Sequence, residues 1–442
     1  MLYNNRSKSL KYAAQTLPLL HNFDSRQHAW TNRLLPDIPD LPEESMTQTS
    51  LDREDGGLGL LPAAVVAVPA YVGSKVDTAH AVSQLPRQPS VEEMMADLPP
   101  MLTSIYNEHG VVPTDELLVP SLLQNPGHNQ KTISRALQKQ RAIKFWPSEE
   151  IEASTLSIND QVKLSRSKSI KTLEARAWQT ILPGQHELPT STWCMWIQVW
   201  LGAPVYDLPI HGHNLNCHTC GKFMDRFGRH ALGTCGTGFG RTARHNRIMH
   251  VLREEALVQS GIPSRREEIG LFPGADDRPG DIYVTNDAGC TDAGYTSAAF
   301  DFTVHGAMPD NGKSSPLLIS SCKIPGAAAH DAEKSKISNF LRREREVALV
   351  LKTDKGITWK RDFQFRPFAM DVFGALGPEA KKAVSQFSNI RARRFNQSAG
   401  SCRRKILQAI NVALISTNAK MLSCRRPQFH SSLDAPASEL LD

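Results

Sequence analysis

Cysteine is scarce in this sequence, with eight residues in a chain of 442. A fold that depended on disulfides would need a higher density of them, and three of the eight (Cys217, Cys220 and Cys235) instead lie close together at spacings typical of metal ligands. The composition therefore excludes a disulfide scaffold. It fits a protein of a reducing compartment, nuclear or cytoplasmic, and not a secreted one.

Long apolar segments are also missing. The first residues lead into no hydrophobic stretch of the secretory type, and the longest apolar run, residues 63–72, is interrupted by Pro69. A membrane-spanning helix needs about 20 consecutive apolar residues. We therefore expect neither a secretory leader nor a membrane partner.

Acidic residues are absent from residues 388–430, whereas the whole chain is nearly balanced, with 51 Lys and Arg against 45 Asp and Glu. The basic residues of this block include three consecutive ones, Arg403, Arg404 and Lys405. Such a block can contact phosphates, and it can equally be the solvated face of helices. We take these three residues as candidate nucleic-acid contacts.

The N-terminal half carries mainly helical patterns. Residues 1–53 are rich in Asn, Ser, Pro and charge and are predicted to be largely disordered, and residues 54–203 are predicted to be helical. From residue 129 onward, apolar residues alternate at helical spacing with basic ones that include Lys131 and Arg135. This basic amphipathic helix can bind nucleic acid or pack against a partner, and the sequence favours neither use over the other.

A candidate zinc site lies within residues 204–240. Cys217 and Cys220 form a tight thiolate pair, and His230 and Cys235 supply a second pair. Four ligands close a tetrahedron and leave no open position, so the pattern predicts a structural zinc ion and not a catalytic one. Other nearby histidines could replace one of the ligands, namely His211, His213 and His218.

Two aspartates stand next to predicted strands. Asp281 precedes the strand 282–285, and Asp301 lies inside the apolar strand 298–304. A buried carboxylate needs a cation, a metal ion or a hydrogen-bond network. Oxygen ligands on neighbouring strands suit Mg²⁺ or Mn²⁺, and an ion held there would activate water and stabilise charge on a phosphate.

A lysine near such an ion would stabilise the developing negative charge. Lys336 is our candidate because it shares a face with Phe340 on a predicted helix, residues 331–345, and Lys323 and Lys334 are its rivals. Glu255, on the apolar face of a predicted helix over residues 241–259, is a minor further candidate.

In this order of motifs the chain resembles the C-terminal part of LINE-type retroelement proteins that carry a restriction-like endonuclease. The resemblance rests on a set of short segments: the Cys-Cys-His-Cys knuckle, Arg244-His245-Asn246, Arg278-Pro279-Gly280-Asp281, Phe300-Asp301-Phe302-Thr303-Val304 and Lys336-Ile337-Ser338-Asn339-Phe340. It implies that the family's metal-binding aspartates fall on Asp281 and Asp301 and its catalytic lysine on Lys336. It also implies that the family's preceding glutamate falls on Glu267 or Glu268.

Three departures from the family pattern accompany this resemblance. Gly280 stands between Pro279 and Asp281, Asn339 replaces a second lysine, and Phe340 stands where a tyrosine is usual. A polymerase core is also missing, since the adjacent aspartates 276 and 277 lie in a Gly/Pro loop with no strand before them.

The resemblance implies an α/β fold in successive parts. These are a helical post-polymerase region (54–203), a small zinc knuckle (204–240), a restriction-endonuclease-like core with a mixed central sheet flanked by helices (241–375), basic helices (376–425) and a flexible tail (426–442). It implies a nuclease that nicks target DNA for target-primed reverse transcription. DNA, element RNA and a reverse transcriptase from a related element are the implied partners, with Arg244 and His245 among the nucleic-acid contacts. The alternatives are an inactive nucleic-acid-binding module and a zinc-stabilised scaffold without nucleic-acid affinity.

Overall fold

The structure is a computed structural model. It describes residues 6–33, 41–86, 90–96, 98–124, 127–181, 186–206, 217, 219–222, 224–235, 239–269, 271–272, 278–285, 295–307, 314–355, 358 and 361–425. The chain divides into two compact units, Met1–Thr172 and Leu173–Asp442. The predicted helical region 54–203 is divided between these two units. The predicted tail, 426–442, lies outside the described residues.

The described residues of the first unit form helices and the segments that connect them, with no strand among them. Its α-helices are α1 (Arg6–Arg33), α2 (Glu43–Thr49), α3 (Ala63–Ser83), α4 (Val91–Met95), α5 (Leu98–His109), α6 (Val119–Gln124), α7 (Asn129–Phe145) and α8 (Ile158–Ile170). Short 3₁₀ turns occur at Arg53–Asp55, Asp115–Leu117 and Ala153–Thr155. Residues 1–53, for which the composition predicts disorder, thus include α1 and α2.

The core of this unit follows from helical periodicity. Ile133 and Leu137 of α7 are fully buried against Val72 and Val76 of α3 and residues of α5. The basic residues Lys131 and Arg135 of α7 are exposed on the other side. Because one face of the helix is buried, its basic face lies towards solvent, where NH2 of Arg135 is 3.8 Å from Oε2 of Glu54.

The second unit combines helices with one small sheet. Its helices are α9 (Thr190–Leu201), α10 (Phe239–Leu252), α11 (Pro316–Lys323), α12 (Ala327–Lys355), α13 (Pro378–Phe395) and α14 (Ala399–Ser423). A 3₁₀ turn covers Ala175–Thr180, and single π-helical turns cover His230–Thr234 and Arg253–Val258. The strands are β1 (Ser264–Arg266), β2 (Ile282–Thr285), β3 (Ser297–His305) and β4 (Phe363–Asp371).

The sheet is mixed and has the order β1-β2-β3-β4. β1, β2 and β3 are antiparallel neighbours, with Ile282 opposite Phe300, whereas β4 runs parallel to β3. The parallel pair needs a long crossover, which α11 and α12 provide. The prediction of a mixed α/β chain is confirmed at this level, as a mostly helical protein with a small four-stranded mixed sheet.

The strand β3 is central to the sheet and alternates in burial along its second half. Phe302 and Val304 are buried, whereas Asp301, Thr303 and His305 are only half-buried and face the other side of the sheet. Helix α10 contacts β3, and α12 contacts both β3 and β4. The half-buried Asp301 lies close to α12, where Lys336 contacts it. His245 and Ile248 of α10 lie near the buried Phe302 and Val304. Across the described part of the chain, none of the helices has the length and apolar character needed to cross a membrane.

Candidate functional site

The four predicted metal ligands lie together in the second unit. The ligand atoms of Cys217, Cys220, His230 and Cys235 all lie within 4.8 Å of one another. Sγ of Cys217 is 3.9 Å from Sγ of Cys235, and Sγ of Cys220 is 3.1 Å from Nε2 of His230. Three of the four side chains are buried, and Cys220 is half-buried. The cluster can therefore hold one metal ion. The alternative ligands His211, His213 and His218 lie outside the described residues.

Two local turns bring these ligands together. In the first, the N–H of Gly221 donates to the carbonyl of Cys217, and the N–H of Cys217 donates to the carbonyl of Lys222, both at 2.7 Å. Gly221 has φ of +71°, a conformation that glycine adopts without steric cost. In the second, the π-helical turn beginning at His230 carries Cys235, whose N–H donates to the carbonyl of His230 at 2.9 Å. Each pair of ligands is thus fixed by its own backbone turn.

The donor set fits zinc. A tetrahedral ion with zinc–sulfur bonds of about 2.3 Å would place its sulfur ligands about 3.8 Å apart, close to the separation of Cys217 and Cys235. Burial raises the pKa of the Cys217 thiol, but the backbone N–H groups of Thr219 and Cys220 and the ring of His230 outweigh burial and lower it to about 6. Thiolate is the form that binds metal. The ligand type, number and spacing of the cluster are therefore compatible with one zinc ion.

Asp225 supports the histidine of this cluster. Its carboxylate accepts hydrogen bonds from the backbone N–H groups of Phe227, Arg229 and His230, at 2.9, 3.2 and 2.9 Å. These bonds fix the start of the turn that carries His230. Groups that orient metal ligands in this way affect metal retention although they do not touch the ion.

We expect Asp225→Ala to weaken zinc retention by roughly 10- to 100-fold, because the turn that presents His230 loses three hydrogen bonds. Competition with a chromogenic chelator measures this affinity. Asp354→Ala, at an exposed position of α12, serves as the control. Equal zinc affinity of the Asp225→Ala variant and the wild type would contradict this role of Asp225.

Asp281, Asp301 and Lys336 also meet, at the other predicted centre. Asp281 lies directly before β2, Asp301 is in the middle of β3, and Lys336 is in the third turn of α12. Nζ of Lys336 lies 2.7 Å from Oδ1 of Asp301. The helical spacing that pairs Lys336 with Phe340 is also observed, with Phe340 stacked on Phe365 at a centroid distance of 4.1 Å. Phe340 thus packs this part of α12 against aromatic residues, and the preceding turn places Lys336 next to Asp301.

The backbone of Asp281 is fixed against β3. Its N–H donates to the carbonyl of Phe300 at 2.7 Å, and its Oδ2 accepts a hydrogen bond from the N–H of Phe302, also at 2.7 Å. A Cβ atom at Gly280 would lie only 2.8 Å from the carbonyl oxygen of Phe300. The glycine that separates Pro279 from Asp281 is therefore required by the close approach of this segment to β3.

His245 of α10 is a fourth member of this group. Its Nε2 lies 3.2 Å from Oδ1 of Asp281. The sequence predicts His245 as a nucleic-acid contact, and its contact with Asp281 was not foreseen. Arg241 lies four residues before it, so that the two residues share one helical face, as the sequence alone indicates.

These residues line one cleft of about 320 Å³. Its walls are formed by the first half of α10, by Asp281, by the C-terminal half of β3 and by Lys336 of α12. The lining residues are Arg241, Thr242, Arg244, His245, Asp281, Asp301, Phe302, Thr303, Val304 and Lys336. The cleft thus contains two carboxylates together with four nitrogen-bearing side chains.

The two aspartates are electrostatically different. Burial raises the pKa of Asp301 to about 6, although the ammonium group of Lys336 favours its ionised form. Burial also acts on Asp281, but there the hydrogen bonds from His245 and from the N–H of Phe302 outweigh it and lower the pKa. Near neutral pH both side chains are carboxylates, which is the form that binds a divalent cation.

The contact between His245 and Asp281 predicts a pH-dependent stability. The hydrogen bond with Asp281 raises the pKa of His245, against the opposing effect of partial burial. The stability from this contact is complete below the ordinary histidine pKa of about 6.5 and is lost as pH rises through the raised value. In the absence of magnesium, His245→Gln should therefore lower the melting temperature most at pH 6 and least at pH 9. His250→Gln, exposed on the same helix, is the control, and a pH-independent difference would contradict the pairing.

The predicted glutamates lie away from the cleft walls. Glu267, which follows β1, forms a short contact with Arg278, and Glu268 lies 3.0 Å from Arg265. Glu255 lies 3.7 Å from Arg391 of α13. Each of these carboxylates is thus paired with an arginine. The rival lysines Lys323 and Lys334 are exposed and do not line the cleft.

Arg244, which the sequence predicts as a nucleic-acid contact, does not lie on the protein surface. Its side chain is buried, and NH1 donates to the carbonyl of Leu232 at 3.1 Å and to Oδ1 of Asn418 at 2.9 Å. Helices α10 and α14 pack together around it, so it is not an exposed surface contact, although it lines one wall of the cleft. Of the other predicted contacts, Arg404 and Lys405 are exposed, whereas Arg403 is bound to Glu174 at 2.8 Å.

No protein-family model matches the sequence, and no curated protein matches it either. The function is therefore inferred from the residues and their geometry.

Proposed function

We propose that this protein is a retroelement-derived, metal-dependent DNA endonuclease that nicks target DNA for target-primed reverse transcription. The observation that carries the proposal is the convergence of Asp281, Asp301 and Lys336 in one cleft. These residues are 55 positions apart at most in sequence and lie just before β2, in β3 and in α12, so only the fold unites them.

The fold around the cleft supports a restriction-endonuclease-like core. From α10 onward, the second unit has a helix, three antiparallel strands, two crossover helices and a fourth strand in that order. The helices α10, α12 and α13 contact the sheet. A mixed central sheet with flanking helices is the arrangement that the resemblance to retroelement nucleases implies.

The roles of the residues follow from their positions. The carboxylates of Asp281 and Asp301 would hold a Mg²⁺ or Mn²⁺ ion, which would compete with His245 and Lys336 for these oxygens. Such an ion, when bound, lowers the pKa of a water ligand and withdraws charge from the phosphate. Lys336 would donate a hydrogen bond to a phosphate oxygen or to the attacking water. Glu267 or Glu268 would assist only from outside the cleft walls.

The remaining parts fit a protein that handles nucleic acid. The zinc cluster would be a structural knuckle, and the exposed residues Lys131, Arg135, Arg404 and Lys405 would bind phosphates of DNA or element RNA. A reverse transcriptase from a related element would extend the nick. This role belongs in the nucleus, or in the cytoplasm before entry.

An inactive nucleic-acid-binding module is the second candidate. The observation that favours it is that each aspartate of the cleft is already engaged by a cationic side chain, Asp301 by Lys336 and Asp281 by His245. Such pairs can stabilise the fold with no ion bound. Binding of DNA without cleavage distinguishes this module from the enzyme.

The chemical group at the 3′ side of the nick tests whether the product can prime reverse transcription. Supercoiled plasmid nicked by the protein in Mg²⁺ is purified and incubated with a DNA polymerase and a labelled nucleotide. A priming nuclease leaves a 3′ hydroxyl, and we expect the nicked circles to become labelled. Nicked circles that accept label only after phosphatase treatment would carry 3′ phosphates and would exclude the priming role.

A further inference from the structure

The cleft contains more positive charge than its two aspartates neutralise. Asp301 is paired with Lys336, and Asp281 is in contact with His245. Arg241 and Arg244 line the same cleft. Within the described residues, neither of these two arginines forms a salt bridge. Two guanidinium groups therefore remain without a carboxylate.

Arg244 is the more unusual of the two arginines. It is 2% exposed, and its NH1 is bound only to the neutral oxygens of Leu232 and Asn418. Among the residues that the structure describes, its Nε has no hydrogen-bond partner. Burial, together with the guanidinium groups of Arg241 and Arg425, lowers the pKa of Arg244 to about 9. A buried charge with like charges as neighbours is costly unless an anion compensates it.

The positions of Arg241 and Thr242 on α10 also favour the binding of an anion. Arg241 and Thr242 lie in the first turn of the helix, where unsatisfied N–H groups and the helix dipole favour anions. Arg241 is half-buried and Thr242 is exposed, so both can be reached from solvent. Arg244 is buried, and part of its side chain lines the cleft. A small anion that enters the cleft would meet a hydroxyl and two guanidinium groups.

We propose that Arg241, Thr242 and Arg244 form a phosphate-binding subsite next to the aspartate pair, which takes a phosphodiester of the bound DNA strand adjacent to the one that is cleaved. This inference rests on the proposed nuclease function for the identity of the ligand. The subsite itself depends only on the uncompensated charge of the cleft. Its role is to position the strand, because none of its three residues contacts Asp281 or Asp301 among the described interactions.

Inorganic phosphate is the first probe. Thermal unfolding of the zinc-loaded full chain without magnesium is compared in sodium phosphate and in sodium chloride of equal ionic strength. At a phosphate concentration tenfold above its dissociation constant, the melting temperature of the wild type should rise by about 3 °C. Arg241→Gln should lose most of this rise, and Arg241→Lys should keep part of it. Arg247→Gln, an exposed arginine on the same helix that does not line the cleft, should keep all of it.

A short oligothymidylate is the second probe, and it identifies the source of the phosphate. Its affinity, measured by fluorescence anisotropy without magnesium, should fall about three- to tenfold in Arg241→Gln, and the slope of log affinity against log salt should become shallower by about 0.7. Equal oligothymidylate affinity in both proteins, with a phosphate-dependent shift in the wild type, would overturn the assignment to a DNA strand.

The subsite and the nuclease can fail separately. No rise in melting temperature with phosphate, or an equal rise in wild type and Arg241→Gln, would overturn the subsite even in a protein that nicks DNA. A protein that never nicks DNA but shows the Arg241-dependent shift would keep the subsite and lose the nuclease.

Discussion

Asp301→Ala and Lys336→Ala are each expected to reduce magnesium-dependent nicking at least about 1,000-fold, the size of effect seen when a group that stabilises transition-state charge is removed. Asp301→Ala removes one of the two carboxylates that can hold the ion. Lys336→Ala removes the ammonium group that lies 2.7 Å from Oδ1 of Asp301. The measurement is the single-turnover rate of conversion of supercoiled plasmid to open circles.

Lys334→Ala is the matched control for Lys336→Ala. Lys334 lies two residues away on α12 and is exposed, so its removal leaves the cleft unchanged. We expect wild-type rates from this variant. The assignment of the lysine would be wrong if Lys334→Ala were inactive while Lys336→Ala nicked DNA normally. Zinc content and the melting temperature establish that each variant is folded.

Cys235→Ser is expected to release the zinc ion and to lower the melting temperature of the protein strongly. A structural zinc site contributes its binding free energy to folding, and here Cys235 is 1% exposed. A loss of at least about 3 kcal/mol corresponds to a fall of roughly 6–12 °C in a unit of this size. Elemental analysis should find one zinc per wild-type chain and less than a tenth of that in the variant.

Cys424→Ser is the control for this experiment. Cys424 is an exposed free cysteine at the end of α14 and takes no part in the cluster. We expect it to keep both the zinc ion and the melting temperature of the wild type. Loss of zinc without a change in melting temperature in Cys235→Ser would contradict a structural role for the ion.

The sequence predicts best those parts of the site that depend on residues close to one another in the chain. The spacing of Cys217, Cys220, His230 and Cys235 follows from the few backbone turns that can surround one ion. The strand β2 and the strand β3 around Asp301 were recognisable because apolar runs bounded by turn residues are typical of buried strands. Within those segments the predicted and observed boundaries differ by one residue at most.

Contacts between distant segments could not be predicted in the same way. The pairing of His245 with Asp281 depends on how α10 contacts β3, and no local pattern encodes that packing. The burial of Arg244 depends on Asn418, which is 174 residues away. Helical periodicity places Arg244 on a face of α10 but does not say that α14 covers that face.

The surroundings of the two predicted glutamates could not be predicted from the sequence either. A resemblance can align Glu267 or Glu268 with a functional carboxylate, but it does not show which side chains neighbour them. Here Arg278 and Arg265 pair with these two glutamates outside the cleft walls. Composition likewise does not predict α2 within residues 1–53, because the burial of Met46 and its neighbours depends on other segments of the unit.

We propose that the cleft of Asp281, Asp301 and Lys336 cleaves DNA with a divalent cation. The most direct test incubates zinc-loaded wild-type protein with supercoiled plasmid while Mg²⁺ or Mn²⁺ is titrated. Magnesium is withheld in the control and not chelated, because a chelator would also remove zinc. We predict nicking that rises with the added cation and is absent without it. A folded, zinc-loaded protein that binds the plasmid and leaves it intact at every concentration of either cation would contradict the claim.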